Sequence, residues 1–195
     1  MSEASDEWAE SAAGWDDDPY ARAYAAAAFD SLLETGVDLA GARVLDFGAG
    51  TGLLTERLAP IVESVVGVDT SRAMLELLDR KSRARGWENV TTASQLDERH
   101  RGFDLVVASS VCAFVDDYPR TAVDLVDRLV PRGWFVQWDW EREEDAEGHG
   151  LSRTQIAEAL RAAELVDVAV RQGFEARLED MVMAPLMGIG RRPQS

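Results

Sequence analysis

Residues Val44-Leu45-Asp46-Phe47 run straight into Gly48-Ala49-Gly50-Thr51-Gly52, and Leu53, Leu54, Glu56 and Leu58 follow at helical spacing. No other stretch constrains the fold as tightly. An apolar run over Arg43–Phe47 predicts a buried strand, the alternating glycines a tight turn, and the next residues a helix to about Leu58. Glycine tolerates dihedrals that other residues avoid, and it lets another group approach the backbone closely. Taken alone, this pattern is compatible either with a plain turn or with a loop that cradles a ligand.

The surrounding chain repeats the alternation. Ser64–Asp69 reads as a second strand, apolar enough to be buried on both faces, with Asp69 at its exit. Thr70 or Ser71 caps a helix whose Met74, Leu75, Leu77 and Leu78 face inward, ending near Gly86. Val90–Ala93 is a short third strand and Phe103–Ser110 a fourth strand with its exit. Pro119 opens a helix, Pro131-Arg132-Gly133 is a turn, and Trp134–Trp140 is an aromatic fifth strand. Trp138 and Trp140 share one face of it, as core or as the wall of an aromatic pocket. Glu141–Gly150 is an exposed charged loop, and Ser152 or Thr154 caps the next helix. Leu165–Val170 is a sixth strand, and a final strand falls within Met181–Met187. Parallel strands need crossover helices, so the expected fold is α/β, a three-layer sandwich on a mostly parallel seven-stranded sheet with a final antiparallel strand. Residues 1–18 read as a mobile acidic segment in which Trp8 and Trp15 are unusual, able to dock on the body or cover a pocket. Residues 19–40 form an N-terminal helix capped by Asp18-Pro19, and 41–195 the main domain.

Composition narrows the partners. The net charge of −16 repels phosphates and anionic membranes, and the sequence holds no basic patch, so nucleic acid and membrane are not expected as partners. One cysteine, Cys112, excludes an internal disulfide, and two histidines far apart offer no zinc pattern, so no metal is expected. No apolar run is long enough to span a bilayer and no signal peptide is evident, which makes a cytoplasmic protein the expectation. Either a monomer or a homodimer is compatible with the chain.

The chemistry should lie at the strand exits: Gly48–Gly52, Asp69-Thr70, Ala93-Ser94-Gln95-Leu96 and Ser109–Cys112. Asp69 follows the glycine turn by one strand-helix-strand unit, where a carboxylate grips ribose hydroxyls or else simply caps a helix. Two cofactor classes fit, a nicotinamide or flavin dinucleotide and S-adenosylmethionine. A dinucleotide turn places a third glycine where this chain has Leu53, and Asp46 beside the turn would repel a pyrophosphate while suiting an ammonium group.

Asp46–Gly52, Val66–Ser71 with Met74-Leu75, Phe103–Ser109 and Leu129–Trp134 together resemble, in order and spacing, the motifs of the class I S-adenosylmethionine-dependent methyltransferases, over about residues 40–187. The resemblance implies a Rossmann-like methyltransferase fold and S-adenosylmethionine as cofactor. It implies that Gly48, Gly50 and Gly52 make room for the methionyl part and the ribose, and that Asp46 anchors near the amino acid end. It also implies that Asp69 binds the ribose hydroxyls, Thr70 lies beside the adenosine and Met74 lines the adenine pocket. Ser109 would pass close to the sulfonium, and Tyr24, with Tyr20 and Trp15, would belong to a lid. Relatives often carry an acidic residue after the third strand; here Ser94 or Gln95 stands in for it. Many small-molecule members carry a histidine after the fourth strand, and this chain has Ser110-Val111-Cys112-Ala113. The implied function is methyl transfer to a small-molecule substrate by in-line displacement. The alternatives are a nicotinamide-dependent oxidoreductase and a non-catalytic S-adenosylmethionine-binding regulator. No catalytic base is assigned: Asp139, Glu141 and His149 are candidates, each with a plainer reading as a loop residue, and Cys112 reads as a small buried hydrophobe.

Overall fold

The computed structural model describes residues 8–143 and 148–194. The chain forms α1 (Ala9–Trp15), α2 (Pro19–Glu34), β1 (Arg43–Phe47), α3 (Thr55–Leu58), β2 (Ser64–Val68), α4 (Arg72–Arg85), β3 (Val90–Ala93) and β4 (Phe103–Ser109). A 3₁₀ turn at Cys112–Phe114 leads to α5 (Tyr118–Val126), β5 (Leu129–Asp139), α6 (Arg153–Ala162), β6 (Val166–Gln172), β7 (Ala176–Leu178), β8 (Met181–Met183) and β9 (Leu186–Arg191).

Seven strands make one sheet in the order β3-β2-β1-β4-β5-β9-β6. The first five in that row run parallel, while β9 is antiparallel to both β5 and β6. The expected architecture therefore holds. Neighbouring residues on each strand serve opposite faces. Val44, Leu105, Val107 and Trp138 pack with Tyr24, Leu32, Leu54 and Leu58 of α2 and the α3 region. Leu45, Val106 and Phe135 pack with Ala122, Leu125, Ile156 and Leu160 of α5 and α6. The central strands β1 and β4 are buried on both faces, which is why they read as continuous apolar runs. From β1 the chain winds outward to β3 and then returns to place β4 on the other side of β1. That reversal leaves a crevice beyond the C-terminal ends of β1 and β4, where ligands of doubly wound sheets sit.

The helices begin where the sequence provides caps. The Asp18 carboxylate accepts the Tyr20 N–H at 2.8 Å with Pro19 in the first turn, and Ser71 caps α4 through Met74 N–H. Ser152, rather than Thr154, caps α6, in a reciprocal box with Gln155.

Four features differ from the sequence expectation. The helix after the glycines is a single turn, Thr55–Leu58, preceded by a bonded turn from Ala49 to Gly52. Pro131-Arg132-Gly133 is not a turn between elements but a bulge inside β5: the register steps from Phe103↔Leu129 to Leu105↔Trp134, with Arg132 at φ 68°. The final strand is Leu186–Arg191, C-terminal to the expected window. Met181–Met183 instead pairs with Ala176–Leu178 in a separate two-stranded hairpin. Finally, the described part of the N-terminal segment carries a helix, α1, that packs against α4. Residues 1–7 of that segment, and 144–147 of the charged loop, lie outside the described residues. Among the described residues no helix is long and apolar enough to cross a membrane.

Candidate functional site

The glycine turn folds as it does because three alternate positions take left-handed dihedrals: φ is 72° at Gly48, 56° at Gly50 and 86° at Gly52. The three are not equivalent. A Cβ on Gly48 would stand 2.5 Å from the Val111 side chain, and one on Gly52 would stand 2.3 Å from Leu78 Cδ1. Those two glycines admit the chain's own neighbours, the β4 exit and α4. Gly50 faces open space, with no heavy atom within 4 Å of its would-be Cβ. The turn is pinned from behind, because the Gly48 and Ala49 N–H groups both donate to the Val68 carbonyl of β2. Helix α3 is a single turn, too short to build an appreciable dipole at its N-terminus. That absence disfavours a pyrophosphate at the turn.

Asp69 sits where β2 leaves the sheet and is half-buried. One oxygen accepts the Gly50 N–H at 2.8 Å and the other accepts the Ser71 N–H at 2.8 Å. It thus ties the open point of the turn to the start of α4. Asp46 lies beneath the turn, 1% exposed, and Thr55 Oγ1 donates to its Oδ2 at 2.6 Å. Burial raises its pKa from the usual carboxylate range to about 6; the Thr55 bond pulls it down, and the charge of Asp69 pushes it further up. Among the described residues no Lys, Arg or His forms an ion pair with Asp46.

The other expected residues gather at the same sheet edge to differing degrees. Thr70 is exposed beside Asp69, and Met74 is buried at 3% exposure in the first turn of α4. Ser94 and Gln95 are exposed just past β3, and Ser109 is half-buried at the end of β4. Ser110 takes a left-handed φ of 56° and donates its N–H to the Trp138 carbonyl, which joins the β4 and β5 exits. From α2, Tyr24 reaches over this junction and donates its hydroxyl to the same Trp138 carbonyl at 3.3 Å. Its ring packs on Trp140 and Phe174, with centroids 5.6 and 5.1 Å away. Tyr20 turns aside toward Glu179 of the β7–β8 hairpin. Trp138 is fully buried core, while Trp140 is 38% exposed.

A buried polar network under the β5 exit has no counterpart in the residue pattern. The Tyr118 hydroxyl donates to Gln137 Oε1 at 2.6 Å, Gln137 Nε2 donates to Asp139 Oδ2 at 2.9 Å, and Ala113 N–H donates to Asp139 Oδ1 at 3.2 Å. Burial pushes the Asp139 carboxyl up to about 7, against the N–H groups of Ala113, Gln137 and Cys112 that favour its charge. The same burial, with Asp139 beside it, raises the Cys112 thiol well above its ordinary value and keeps it inert. Asp139 is therefore a fully engaged group that fixes the 3₁₀ turn. Glu141 pairs with Arg153 at 2.9 Å, and His149 is exposed and stacks on Phe114 at 4.7 Å. A cleft of about 440 Å³ opens beside the network, lined by Cys112, Tyr118, Gly150, Leu151 and Gln155 among others.

Helix α1 was the least legible contributor. It brings Asp16 to the turn, where Thr51 Oγ1 donates to Asp16 Oδ1 at 2.6 Å, and Lys81 of α4 pairs with Asp16 at 2.9 Å and Glu56 at 3.5 Å. Trp8 packs edge-on against Trp15 and Phe114.

The family follows from this assembly. The model of the methyltransferase domain family matches residues 20–175, and the chain belongs to that family, with the class I S-adenosylmethionine-dependent methyltransferase fold. A ubiquinone biosynthesis O-methyltransferase of Ruegeria sp. is 32% identical over 117 residues, 58% of this chain and 47% of that protein. The chain spans about half the length of the curated relatives it matches. Among solved structures, the N-methyltransferase NodS of Bradyrhizobium japonicum, crystallised with S-adenosylhomocysteine, is 22% identical at a TM-score of 0.71, covering 98% of this chain and 94% of that one. The YcgJ protein of Bacillus subtilis is 16% identical at a TM-score of 0.69, covering 86% of this chain and 99% of that one. At these identities the structural likeness is one of fold.

Proposed function

We propose that the protein transfers a methyl group from S-adenosylmethionine to a small-molecule acceptor. The observation that carries this reading is the turn itself: Gly50, open to the crevice, stands between a buried carboxylate without an ion-pair partner, Asp46, and an exit carboxylate, Asp69. That donor set fits the ligand. An ammonium group beside Asp46 would supply the positive charge the burial lacks. Asp69 presents its carboxylate at the β2 exit, where it accepts the Gly50 and Ser71 N–H groups and would face the ribose hydroxyls. A pyrophosphate would meet two carboxylates and a one-turn helix instead of cations. Nothing in the site favours the oxidoreductase reading.

When bound, S-adenosylmethionine supplies a methyl carbon made electrophilic by its sulfonium. The chain's own residues align and dry the site. Ser109 and Ser110 form the floor at the β4 exit, and Tyr24 with Trp140 covers the β5 side. Asp139 acts as a positioning residue: its bonds to Gln137 and Ala113 fix the segment that carries Phe114. His149, at the exposed mouth, is the remaining one of the three ionisable groups raised from the sequence that neither an ion pair nor burial holds. The names of the relatives, an O-methyltransferase of quinone biosynthesis and an N-methyltransferase, support a small acceptor.

The test is to incubate the protein with S-adenosylmethionine and panels of small phenols, amines and carboxylic acids while following S-adenosylhomocysteine. Acceptor-dependent formation is the expected result. Tight binding of the donor with no turnover on any acceptor would favour the non-catalytic regulator instead.

A further inference from the structure

Resting on the methyl-donor reading above, we infer that the acceptor is a flat aromatic molecule without negative charge, held between Trp140 and the Phe114–His149 stack. Nine large hydrophobic side chains are exposed among the described residues. Six are aliphatic and distributed over the surface: Leu33, Ile61, Val123, Val166, Met181 and Val182. The three aromatic ones, Trp8, Phe114 and Trp140, at 38%, 41% and 38% exposure, all belong to the ring contacts at the β4 and β5 exits. Scattered single hydrophobes are ordinary on any surface, whereas three half-exposed rings at the edge where the donor crevice opens are not.

The rings are held in place without being filled in. Tyr24 backs Trp140 and is itself fixed by the Trp138 carbonyl, so one face of the Trp140 ring is supported from the protein side. Phe114 is the last residue of the 3₁₀ turn anchored by Asp139, and His149 lies nearly parallel to it at 26°. The loop bearing His149 is tied to the same strand end, since Leu151 N–H donates to the Trp140 carbonyl at 3.0 Å. Half-exposed rings held by such contacts bind flat ligands at little entropic cost.

Charge sets the second half of the inference. The described segments that form the mouth, residues 8–24, 47–54, 109–118, 140–143 and 148–153, contain eight carboxylates: Glu10, Asp16, Asp17, Asp18, Asp116, Asp117, Glu141 and Glu143, of which Asp16 is paired with Lys81 of α4. Apart from His149 they contain three basic side chains, and all are engaged. Arg22 donates to the Asp16 carbonyl, Arg142 to the Gly150 carbonyl and Arg153 to Glu141. A carboxylate on the acceptor would meet repulsion without a matching cation.

The inference is tested by NMR titration of three probes: 4-methylcatechol, 3,4-dihydroxybenzoate and cis-1,2-cyclohexanediol, each with and without saturating S-adenosylhomocysteine. The neutral catechol should bind about tenfold more tightly than either other probe, which is the scale of one ring contact or one uncompensated charge. Trp140→Leu and Phe114→Leu, both at half-exposed positions, should each weaken the catechol about three- to tenfold, and Phe114→Leu should leave S-adenosylhomocysteine affinity within about twofold, as expected of a residue outside the donor site. Equal binding of the benzoate overturns the charge assignment, equal binding of the diol overturns the aromatic one, and catechol binding untouched by both substitutions overturns the location. Absence of S-adenosylhomocysteine binding would remove the donor reading instead, and the probe titrations without it still score the mouth.

Discussion

The Gly50 N–H donates to Asp69 at 2.8 Å, across nineteen residues of sequence, so the open point of the glycine turn is held by the same carboxylate that stands at the exit of β2. One side chain thereby shapes the crevice and presents a charge to it. Asp69→Ala should weaken S-adenosylmethionine binding by ~1.5–3 kcal/mol, the scale of hydrogen bonds to a charged group. Asp69→Asn, which keeps the acceptor oxygen for one backbone N–H, should lose less. Calorimetric titration of both variants checks this, and equal affinity in wild type and Asp69→Ala would take Asp69 out of the site.

Gly52 is constrained by packing rather than by a ligand. A Cβ there meets Leu78 Cδ1 at 2.3 Å, and Leu78 is fully buried. Gly52→Ala should destabilise the fold by ~1–3 kcal/mol through overpacking, and its φ of 86° adds strain that alanine tolerates poorly. Pairing it with Leu78→Ala should relieve the clash but not the backbone strain, so the double variant should be less destabilised than the two single losses summed. Urea unfolding of the three variants measures the coupling.

The two buried carboxyls make stability depend on pH in a direction opposite to that of ordinary salt-bridged acids. Asp46 is raised to about 6 and Asp139 to about 7 from a reference of 3.8. The folded chain keeps these protons where the unfolded chain releases them. Their stabilising contribution is full below the reference value and is lost as pH rises through about 6 and then 7. Chemical unfolding at pH 5.5 and 8 should show lower stability at pH 8, and Asp46→Asn should shrink that difference. An ammonium group bound beside Asp46 favours its charged form, so donor binding near pH 6 should release a proton. Titration in two buffers of different ionisation heat detects it, and Asp46→Asn should abolish it.

Helix α1 is fastened to the turn through Asp16, which accepts from Thr51 and pairs with Lys81. Asp16→Ala should loosen α1 more than it lowers global stability, because the lost contacts join two locally folded pieces. Hydrogen exchange should speed up over residues 9–15 while the strands stay protected. Equal protection in both proteins would mean that the aromatic contacts of Trp8 and Trp15 hold the helix unaided.

The sheet was legible because strands buried on both faces leave continuous apolar runs, and β1, β2, β3 and β4 fall within a residue or two of their expected ends. Asp69 and the glycines could be placed from spacing alone. The rest depended on contacts between distant residues. Alternate glycines do not reveal that Val111 and Leu78 fill two of the three positions and leave Gly50 open. Gln137 looked like one polar residue in an aromatic strand, because its partner Tyr118 lies nineteen residues away. The β7–β8 hairpin has three-residue strands, too short for a period to register, and β9 was misplaced because Gly188 and Gly190 look like an ending and are strand interior. Helix α1 is short and acidic, lacks a side-chain cap and contains Gly14, so its order comes from docking rather than from propensity.

On the reading proposed above, the crevice at Gly50, Asp46 and Asp69 takes S-adenosylmethionine and not a dinucleotide. Calorimetric titration of the wild-type protein with S-adenosylmethionine and, separately, with a nicotinamide dinucleotide tests it most directly. Saturable one-site binding of S-adenosylmethionine is expected, with a dissociation constant on the order of micromolar, about −8 kcal/mol, and no saturable heat from the dinucleotide. Saturable dinucleotide binding without S-adenosylmethionine binding would contradict it.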